Sequence, residues 1–462
     1  MVSEHVDRRR RSILQLVAAG LAGASVDVGA ASEPGQGDAA PPMTQDRSWA
    51  DFFVEDHGDE IRSYRGDEET AIYRGDASTA LQRAIDEAAA TDEGGMIGIS
   101  GGTFELAESV TLASSTWVVG NGSATTLEAA DGLNDDLVAI AAGAEHAGIS
   151  RLRLDGNREA NEAGSAIHVR GGAWRPIIEH VVVREAAAHG VEFSGGDDSA
   201  YSYEPVLLDV DVGRCSVDGF VFGYTGDLFG ANLYAEGCGE YGFTMADAGG
   251  TVVHAHAYDT RGEAGIRVLP SARDLTLIGA HAERNHRIGA LVKGERIRLN
   301  QAFVANNSQR SPGEEAGIVL DGAHDCSITD SSIVNGDHRE LTQGTGLIEM
   351  RTCQDNMIRD NLFRDNLGTA VARHSTDSNS MYRQNRGYRT ENGGESTVRD
   401  GERIAHELDV RPGRYRVDST NSDVRCHVVD ADETSLEVEL READSGEVYS
   451  GSVGVVWDAT AQ

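Results

Sequence analysis

Titratable residues recur at fixed offsets from a repeating glycine in the first half of the chain. Each glycine opens a four-residue phrase of glycine, apolar, any residue, apolar, as in Gly190-Val-Glu-Phe193 and Gly219-Phe-Val-Phe222. The residue before the glycine and the third residue of the phrase are mostly polar in the early repeats. A carboxylate, an imidazole, a phenol and a guanidinium on one surface are groups that carry out acid–base chemistry. The expected catalytic residues are His189, Asp218, Tyr241, Arg267 and Glu192, beside Ser165, and His168 and Thr244 are expected to bind substrate.

The spacing of the glycines predicts how these side chains come together. From Gly190 to Gly368 they lie 22 to 29 residues apart. A period in the twenties, with short alternating strands and no helix-length apolar stripe, is typical of a parallel β-solenoid. Because coils stack at roughly 4.8 Å, residues at equal offsets become neighbours on one face.

One question of orientation stays open at this point. The third residue of each phrase points outward by strand alternation, but the same alternation points the residue before the glycine inward unless a turn breaks it. If it points inward, His189 and Tyr241 are hydrogen-bonded core residues and Asp218 braces a turn.

Further candidates lie beside this series. The insertion from Gly195 to Glu204 lengthens one repeat, and its Tyr201 and Tyr203 are expected to stack on sugar rings, unless the segment is simply a solvated acidic loop. Substrate contacts are also expected from Asp197, Asp198 and His286. Asp197 and Asp198 are candidate ligands of a calcium ion, although no loop has the spacing of a calcium site. His254 and His256 alternate along one strand, but no third ligand is spaced with them, so no metal site is expected.

The composition limits the classes of partner. The chain of 462 residues carries 76 Asp and Glu against 40 Lys and Arg, a net charge of -36, and Lys293 is its single lysine. Such a surface disfavours nucleic acid and anionic membranes as partners. It is typical of a halophilic protein, in which salt screens the repulsion between the acidic groups.

The chain divides into four segments. Residues 1–31 match a twin-arginine export signal, with Arg10 and Arg11 before an apolar run too short to span a membrane; an uncleaved basic anchor is the alternative. Residues 32–48 are expected to be a linker, 49–394 the solenoid with its N-terminal cap, and 395–462 a small β-sandwich-like module. We therefore expect a secreted or cell-surface protein without a membrane span.

Residues 77–90 form an amphipathic pattern that predicts a helix covering the open end of the solenoid, with Ser78 or Thr79 as its N-cap.

Cys215 and Cys238 lie four residues before successive glycines, so they are expected to stack; a disulfide and a reduced pair both fit this spacing. Asparagines between the repeats are expected to pair with backbone groups at the turns.

The N-terminal part of this pattern resembles a known family. The chain has a helix with Ala80-Leu-Gln-Arg-Ala-Ile85, then Gly94-Gly95, a strand, Gly102-Thr-Phe104 and later Asp155-Gly-Asn157. This order of elements is similar to the start of pectate-lyase-superfamily β-helices. The resemblance covers about residues 50–390. It implies an all-β, right-handed parallel β-helix, a fold that polysaccharide lyases, polygalacturonase-like hydrolases and tailspike-like proteins share.

Four short motifs add to the resemblance. Asp218-Gly-Phe220 and His189-Gly190 match polygalacturonase motifs in reversed order. The segment from Arg267 to Arg273 resembles the Arg-x-Pro-x-x-Arg segment of pectate lyases, with one residue more before the proline. Tyr241-Gly-Phe243 resembles the start of the Tyr-Gly-Phe-Asp-Pro-His motif of mannuronan epimerases.

Together these features predict an exported polysaccharide lyase that acts by β-elimination on a uronate-containing glycan, or a related glycoside hydrolase. The alternative is a non-catalytic adhesin or tailspike-like glycan binder. Residues 395–462 are a candidate homotrimerisation module; a surface-binding module and a simple cap of the stack are the alternatives.

Overall fold

The computed structural model describes residues 47–195, 200–336, 340–374 and 379–461. The expected export signal, most of the expected linker, and Asp197 and Asp198 lie outside the described residues. Within the described part, no helix is long and apolar enough to cross a membrane.

The described chain begins with three strands that precede the first coil. These strands are Phe52–Asp56, Ile61–Arg65 and Ala71–Gly75, paired antiparallel in chain order. The first of them also pairs in parallel with Gly95–Ile99, so it joins this small sheet to the solenoid.

The expected cap helix is present and spans Ala77–Ala89. It packs Leu81 and Ile85 into the main hydrophobic core, which it shares with the first coils. The expected N-caps are wrong, because Asp76 Oδ1 accepts from the Thr79 amide at 2.8 Å. Ser78 Oγ instead accepts from the Ala107 amide at 2.8 Å and so attaches the helix to the first coil.

Each coil contributes to three parallel rows of strands. The first and second rows belong to one extended sheet, and in five successive coils they form one bent strand. In chain order the strands of these two rows are Gly95–Ile99, Gly102–Leu106, Thr116–Val119, Thr125–Ala129, Gly148–Asp155, Ile177–Arg184, Ser202–Tyr203, Val206–Gly213, Thr225–Glu236, Ala248–Tyr258, Leu275–Ile278, His281–Glu283, Arg298–Asn300, Phe303–Ala305, Ser327–Thr329, Ser332–Val334, Met357–Arg359, Leu362–Arg364 and Met381–Arg383. A short 3-10 turn, Gly122–Ala124, precedes the fourth.

The third row contains the strands that follow the repeating glycines. It has eleven parallel strands in chain order: Val110–Leu112, Val138–Ile140, Ile167–Val169, Val191–Phe193, Phe220–Phe222, Phe243–Met245, Ala264–Val268, Ile288–Val292, Ile318–Leu320, Leu347–Glu349 and Val371–Arg373. The register is strict: His168 pairs with Glu192, Val221 with Thr244, and Thr244 with Arg267. Equal offsets in the sequence therefore do become vertical neighbours.

The repeating glycines allow close contact between coils. A Cβ at Gly219 would lie 2.7 Å from the Gly242 carbonyl oxygen and 2.8 Å from Ala235 Cβ. The same crowding recurs at Gly242, where a Cβ would meet Ala257 and the carbonyl of Gly265. Only glycine fits here, which explains why the repeat is so regular.

The bends between the first and second rows have a distinct backbone conformation. The bend residues adopt positive φ in successive coils, for example 53° at His180, 51° at Asp209 and 57° at His254. One left-handed residue redirects the chain there, and the segments on either side of it keep their parallel pairing with the next coil.

Polar ladders complete the later turns, as expected of stacked asparagines. Asn285 Nδ2 donates to Asn307 Oδ1 at 2.9 Å, and Asn307 Nδ2 donates to Gln343 Oε1 at 3.0 Å. In the core, Cys215 and Cys238 are buried free thiols in mutual hydrogen-bond contact.

The last part of the described chain is a small antiparallel module of two three-stranded sheets. One sheet contains Glu391–Arg399, Arg414–Ser419 and Ser452–Thr460, and the other contains Arg403–Ala405, Val424–Ala431 and Ser435–Glu442. They enclose a second hydrophobic core around Leu436, Val438 and Val455. The fold class expected from the sequence, a parallel β-helix with a capping helix and this module, is confirmed.

Candidate functional site

The residues that precede the repeating glycines face outward on the third row. Tyr241, Ala264 and Ile288 precede successive glycines, and they pack with Leu291, from the middle of a strand, in a small cluster separate from the main core. The two offset series therefore share one surface, here called the third-row face. The exit from the turn breaks strict alternation, which settles the question that the sequence left open.

Asp218 is the centre of the contacts on this face. Its Oδ2 accepts from Thr244 Oγ1 at 2.7 Å, and its Oδ1 accepts from the Tyr241 amide at 3.2 Å. The residue is only 2 % exposed, and Thr244 is 3 % exposed. Neither side chain is therefore accessible for direct contact with a ligand on this face.

Arg267 lies over the ring of Tyr241. Its guanidinium carbon is 3.6 Å from the ring centroid, Nη2 donates to Thr244 Oγ1 at 3.2 Å, and Nη2 is 3.8 Å from Asp218 Oδ2. A cation on an aromatic face is attracted by the ring quadrupole. The stack fixes both side chains, while the Arg267 side chain keeps about a quarter of its surface exposed.

His189 joins this group from the preceding coil. Its Nδ1 accepts from the Asp218 amide at 3.3 Å. In a neutral imidazole the other nitrogen then carries the proton, so His189 presents Nε2–H as a donor. The ring is partly exposed.

Burial shifts the titration of the two central acids. It raises the pKa of Asp218 against the opposing effects of the Thr244 hydroxyl, His189, the Tyr241 amide and Arg267. Burial also raises the pKa of Tyr241, against the opposing charge of Arg267. The phenol is therefore held in its protonated form up to alkaline pH.

Basic residues surround Tyr241 although the chain as a whole is strongly acidic. Arg287 and Lys293 interact electrostatically with the phenol in addition to Arg267. Arg287 Nε pairs with Glu315 Oε1 at 2.8 Å and Lys293 Nζ with Asp321 Oδ2 at 2.9 Å, whereas the Arg267 Nη2 contact with Asp218 Oδ2 is longer, at 3.8 Å. Arg267 is thus the least closely paired of the three cations.

A second cluster of polar side chains lies in the coils that come earlier in the chain. His168 Nδ1 lies 2.6 Å from Asp136 Oδ2, and His168 Nε2 lies 2.7 Å from Ser194 Oγ. Burial opposes protonation of His168, but the hydrogen bond and charge of Asp136 outweigh it and raise its pKa. A carboxylate and an imidazole in this order beside a hydroxyl can activate that hydroxyl. With both nitrogens engaged, His168 would contact substrate through its ring.

Glu192 lies between the two polar groups along the third row. Its Oε2 accepts from Ser165 Oγ at 2.6 Å. The side chain is partly exposed, and Ser165 is buried. Glu192 therefore presents a carboxylate to the face, with one oxygen oriented by the serine.

Exposed aromatic rings border the end of the third-row strands. Trp174 and Tyr203 occupy adjacent rungs with ring centroids 5.9 Å apart, and Tyr201 stacks on Tyr203 at 6.0 Å. Each is more than a third exposed. A hydrogen bond to Asp247 raises the pKa of Tyr201 to about 12 and places this ring beside the end of Phe243–Met245.

One expected site residue, and the end of the lyase-like segment, lie elsewhere. His286 lies in the turn before Ile288–Val292, where its Nε2 is 3.5 Å from Asp259 Oδ1. Arg273, the second arginine of the lyase-like segment, lies past the end of its third-row strand, and its Nε is 3.6 Å from Glu295 Oε2.

Sequence reasoning missed Asp136, Ser194 and Trp174. Ser194 directly follows a third-row strand, so extending the offset series by one residue would have found it. Asp136 precedes Val138–Ile140 by two residues, the same offset as Asp218 before Phe220–Phe222. It was missed because that coil lacks the glycine that marks the repeat.

Comparison with known proteins shows likeness at the level of structure. No family model matches the sequence, and no curated protein matches it. Among solved structures, the A-module of mannuronan C-5 epimerase AlgE6 from Azotobacter vinelandii aligns with a TM-score of 0.54 and 18% identity, over 67% of this chain and 95% of that one. The AlgE4 A-module gives 0.52 and 18%, over 67% and 96%. Tailspike protein 2 of Escherichia coli O157:H7 bacteriophage CAB120 gives 0.52 and 10%, over 84% of this chain and 63% of that one.

Identities this low carry information about the fold alone. The alignments cover two thirds of this chain or more. The chain has the parallel β-helix fold that its sequence resemblance implied.

Proposed function

We propose that this protein is a polysaccharide lyase that removes the C5 proton of a uronate in an acidic glycan and eliminates the substituent at C4. The observation that carries the proposal is the group formed by Tyr241, Arg267 and His189 around buried Asp218. It combines a proton-transfer group with donors for an anion on an outward face of the solenoid. The same fold occurs in polysaccharide-active proteins, and this is consistent with such a role.

Arg267 and His189 bind the uronate carboxylate in this proposal. Arg267 supplies a loosely paired positive charge, and His189 supplies Nε2–H. Neutralising the carboxylate makes the C5 proton more acidic, because negative charge that develops at C5 spreads into that group. Asp218 is a positioning residue that holds Thr244 and, through it, Arg267.

Tyr241 transfers the proton. As the phenolate, stabilised by the Arg267 cation, it takes the C5 proton; the electron pair forms the C4–C5 double bond and the C4–O bond breaks. The leaving oxygen then takes the proton from Tyr241, which restores the phenolate. One group thus serves as base and then as acid, so no second residue is needed on the same sugar.

Hydrolysis is the weaker enzymatic alternative. It needs two carboxyl groups on opposite sides of the scissile bond. Asp218 is almost completely buried, and Glu192 lies in the preceding coil of the same face. Two of the matched proteins are by name C-5 epimerases of mannuronan, so the scaffold is compatible with chemistry at that carbon.

The test is incubation with pectate, alginate and other polyuronates at molar salt, following the absorbance of unsaturated ends and, separately, reducing sugar. We expect unsaturated product, with kcat/KM rising with pH to above 10, since the pKa of Tyr241 is raised from 10.0. Parallel reactions with added calcium or a chelator test the further proposal that calcium assists the reaction.

Tyr241→Phe should lower kcat by roughly 10²–10⁴-fold, the range for loss of a proton-transfer group. Tyr258→Phe is the matched control, because Tyr258 ends a second-row strand and its loss should leave activity unchanged. Full activity in Tyr241→Phe, or reducing ends without unsaturation, would refute the elimination mechanism.

Glycan binding without catalysis is the second candidate, favoured by the exposed rings of Trp174, Tyr201 and Tyr203. Aromatic faces of this kind stack on sugar rings. If this reading is right, no polymer yields product, and Trp174→Ala weakens glycan retention on affinity electrophoresis while Tyr241→Phe does not.

Export and self-association belong to the same proposal. The twin-arginine pattern of residues 1–31 supports delivery to the extracellular side, where a glycan substrate is accessible. The C-terminal module supports assembly into a homotrimer, for which its half-exposed Val429 and Val456 provide apolar surface.

A further inference from the structure

We propose that His254, His256 and His281 form a binding site for a divalent transition-metal ion of the zinc class, with Glu283 as the fourth ligand. The cluster lies on the second row of strands, away from the third-row face. It is therefore independent of the proposed elimination chemistry.

The register of the solenoid brings the three imidazoles together. His256 pairs directly with His281 on adjacent parallel strands, and His254 precedes His256 by two residues at the bend with φ 57°. One ring nitrogen from each histidine lies within 4.8 Å of the other two. The sequence showed only the first pair, and the expectation of no metal site rested on the lack of a third ligand, which the next coil supplies.

Glu283 adds an oxygen to the three nitrogens. Its Oε2 lies 3.0 Å from His256 Nε2 and 3.6 Å from His281 Nδ1. Three histidines and a carboxylate are a donor set that suits zinc and its borderline neighbours, and hard calcium or magnesium ions prefer all-oxygen sites. Ligand atoms in a tetrahedral zinc site are about 3.3 Å apart by the usual bond lengths, so small side-chain rotations would close the set.

The surroundings of the cluster also fit a metal site. His256 Nε2 is buried and, within the described part of the chain, forms no hydrogen bond of good geometry, although Glu283 Oε2 lies 3.0 Å away. The ring of Tyr234 packs on His256 at 4.8 Å, and Phe303 packs on His281 at 5.5 Å. Aromatic walls on both sides exclude competing water, while His254 is exposed and leaves an entry path.

Calorimetric titration of the untagged, chelator-treated full chain with Zn²⁺ tests the site, with excess Mg²⁺ present to occupy surface carboxylates. We expect one tight site per chain. Substitution with Co²⁺ should give the intense visible absorption of a tetrahedral centre. His256→Ala and His281→Ala should abolish the stoichiometric binding, and Glu283→Gln should weaken it by about 10–100-fold.

His180→Ala is the matched control. His180 occupies the equivalent bend of an earlier coil, where its Nδ1 lies 3.2 Å from Asp209 Oδ2, so its loss should leave zinc binding intact. Circular dichroism of each metal-free variant shows that it is folded. Absence of stoichiometric binding in the wild type, or equal loss in His180→Ala, would overturn the proposal.

Discussion

Asp218 shows at the scale of one residue how burial and hydrogen bonding oppose each other in setting a pKa. The fold buries a carboxylate and surrounds it with four hydrogen-bonding or charged neighbours, yet burial still raises its pKa. A carboxyl whose pKa is higher in the folded state stabilises the fold at low pH, and this contribution is lost as pH rises through the folded-state pKa. At neutral pH, the ionised Asp218 carboxylate therefore costs stability.

The first prediction is that Asp218→Asn becomes more favourable, relative to the wild type, as pH rises from 3.5 to 7. Below the unfolded pKa near 3.8 both side chains are neutral, and above the folded pKa only the wild type buries a charge. Urea unfolding at the two pH values measures the difference. Asp92→Asn, an exposed residue beyond the cap helix, is the control, and a pH-independent difference for Asp218→Asn would contradict the prediction.

At the scale of the element, the shape of each coil depends on the close backbone packing that the glycine before its third-row strand allows. The backbone there lies against the next coil's glycine carbonyl and against a second-row side chain. That contact positions the residue before the glycine, so the same packing that closes the coil also directs His189, Asp218 and Tyr241 outward.

Gly219→Ala should therefore destabilise the protein by about 1–3 kcal/mol, the usual cost of overpacking a tight interior. Its Cβ would lie 2.7 Å from a backbone oxygen that cannot move without shifting the next coil. The free energy of unfolding in urea measures the loss. In Gly101→Ala the nearest atom is 3.6 Å from the new Cβ, so that control should be nearly neutral; equal effects at both positions would exclude crowding as the cause.

At the scale of the whole molecule, the net charge is the main influence on the stability of the folded chain. With a net charge of -36, the folded chain is under repulsion that salt relieves. The melting temperature at pH 7 should rise with NaCl, most steeply between 0.01 and 1 M, where the Debye length falls from about 30 to 3 Å. Near the sequence pI of 4.7 the same titration should be much flatter. A melting temperature that falls with salt at pH 7 would refute this view.

The proposed trimer is also a property of the whole molecule. Sedimentation of the full chain should give three times the monomer mass, and Val456→Asp, which places a charge on an exposed apolar position of the C-terminal module, should shift it toward monomer. Asp458→Asn on the same strand serves as the control. A monomeric wild type would remove the trimer from the proposal while leaving the lyase assignment untouched.

The sequence by itself determined the solenoid, its cap helix and the C-terminal module, because repeats and strand alternation are local patterns that one chain displays directly. It also placed His189, Asp218 and Tyr241 in one offset series and Arg267 in a second, since a strict register converts equal offsets into neighbours. Tertiary structure alone decided three further points: that the residue before each glycine faces outward, that Asp218 is buried, and that His281 joins His254 and His256. Each depends on the path of a turn or on contacts between coils, and these involve residues more than twenty positions apart whose directions no local pattern encodes.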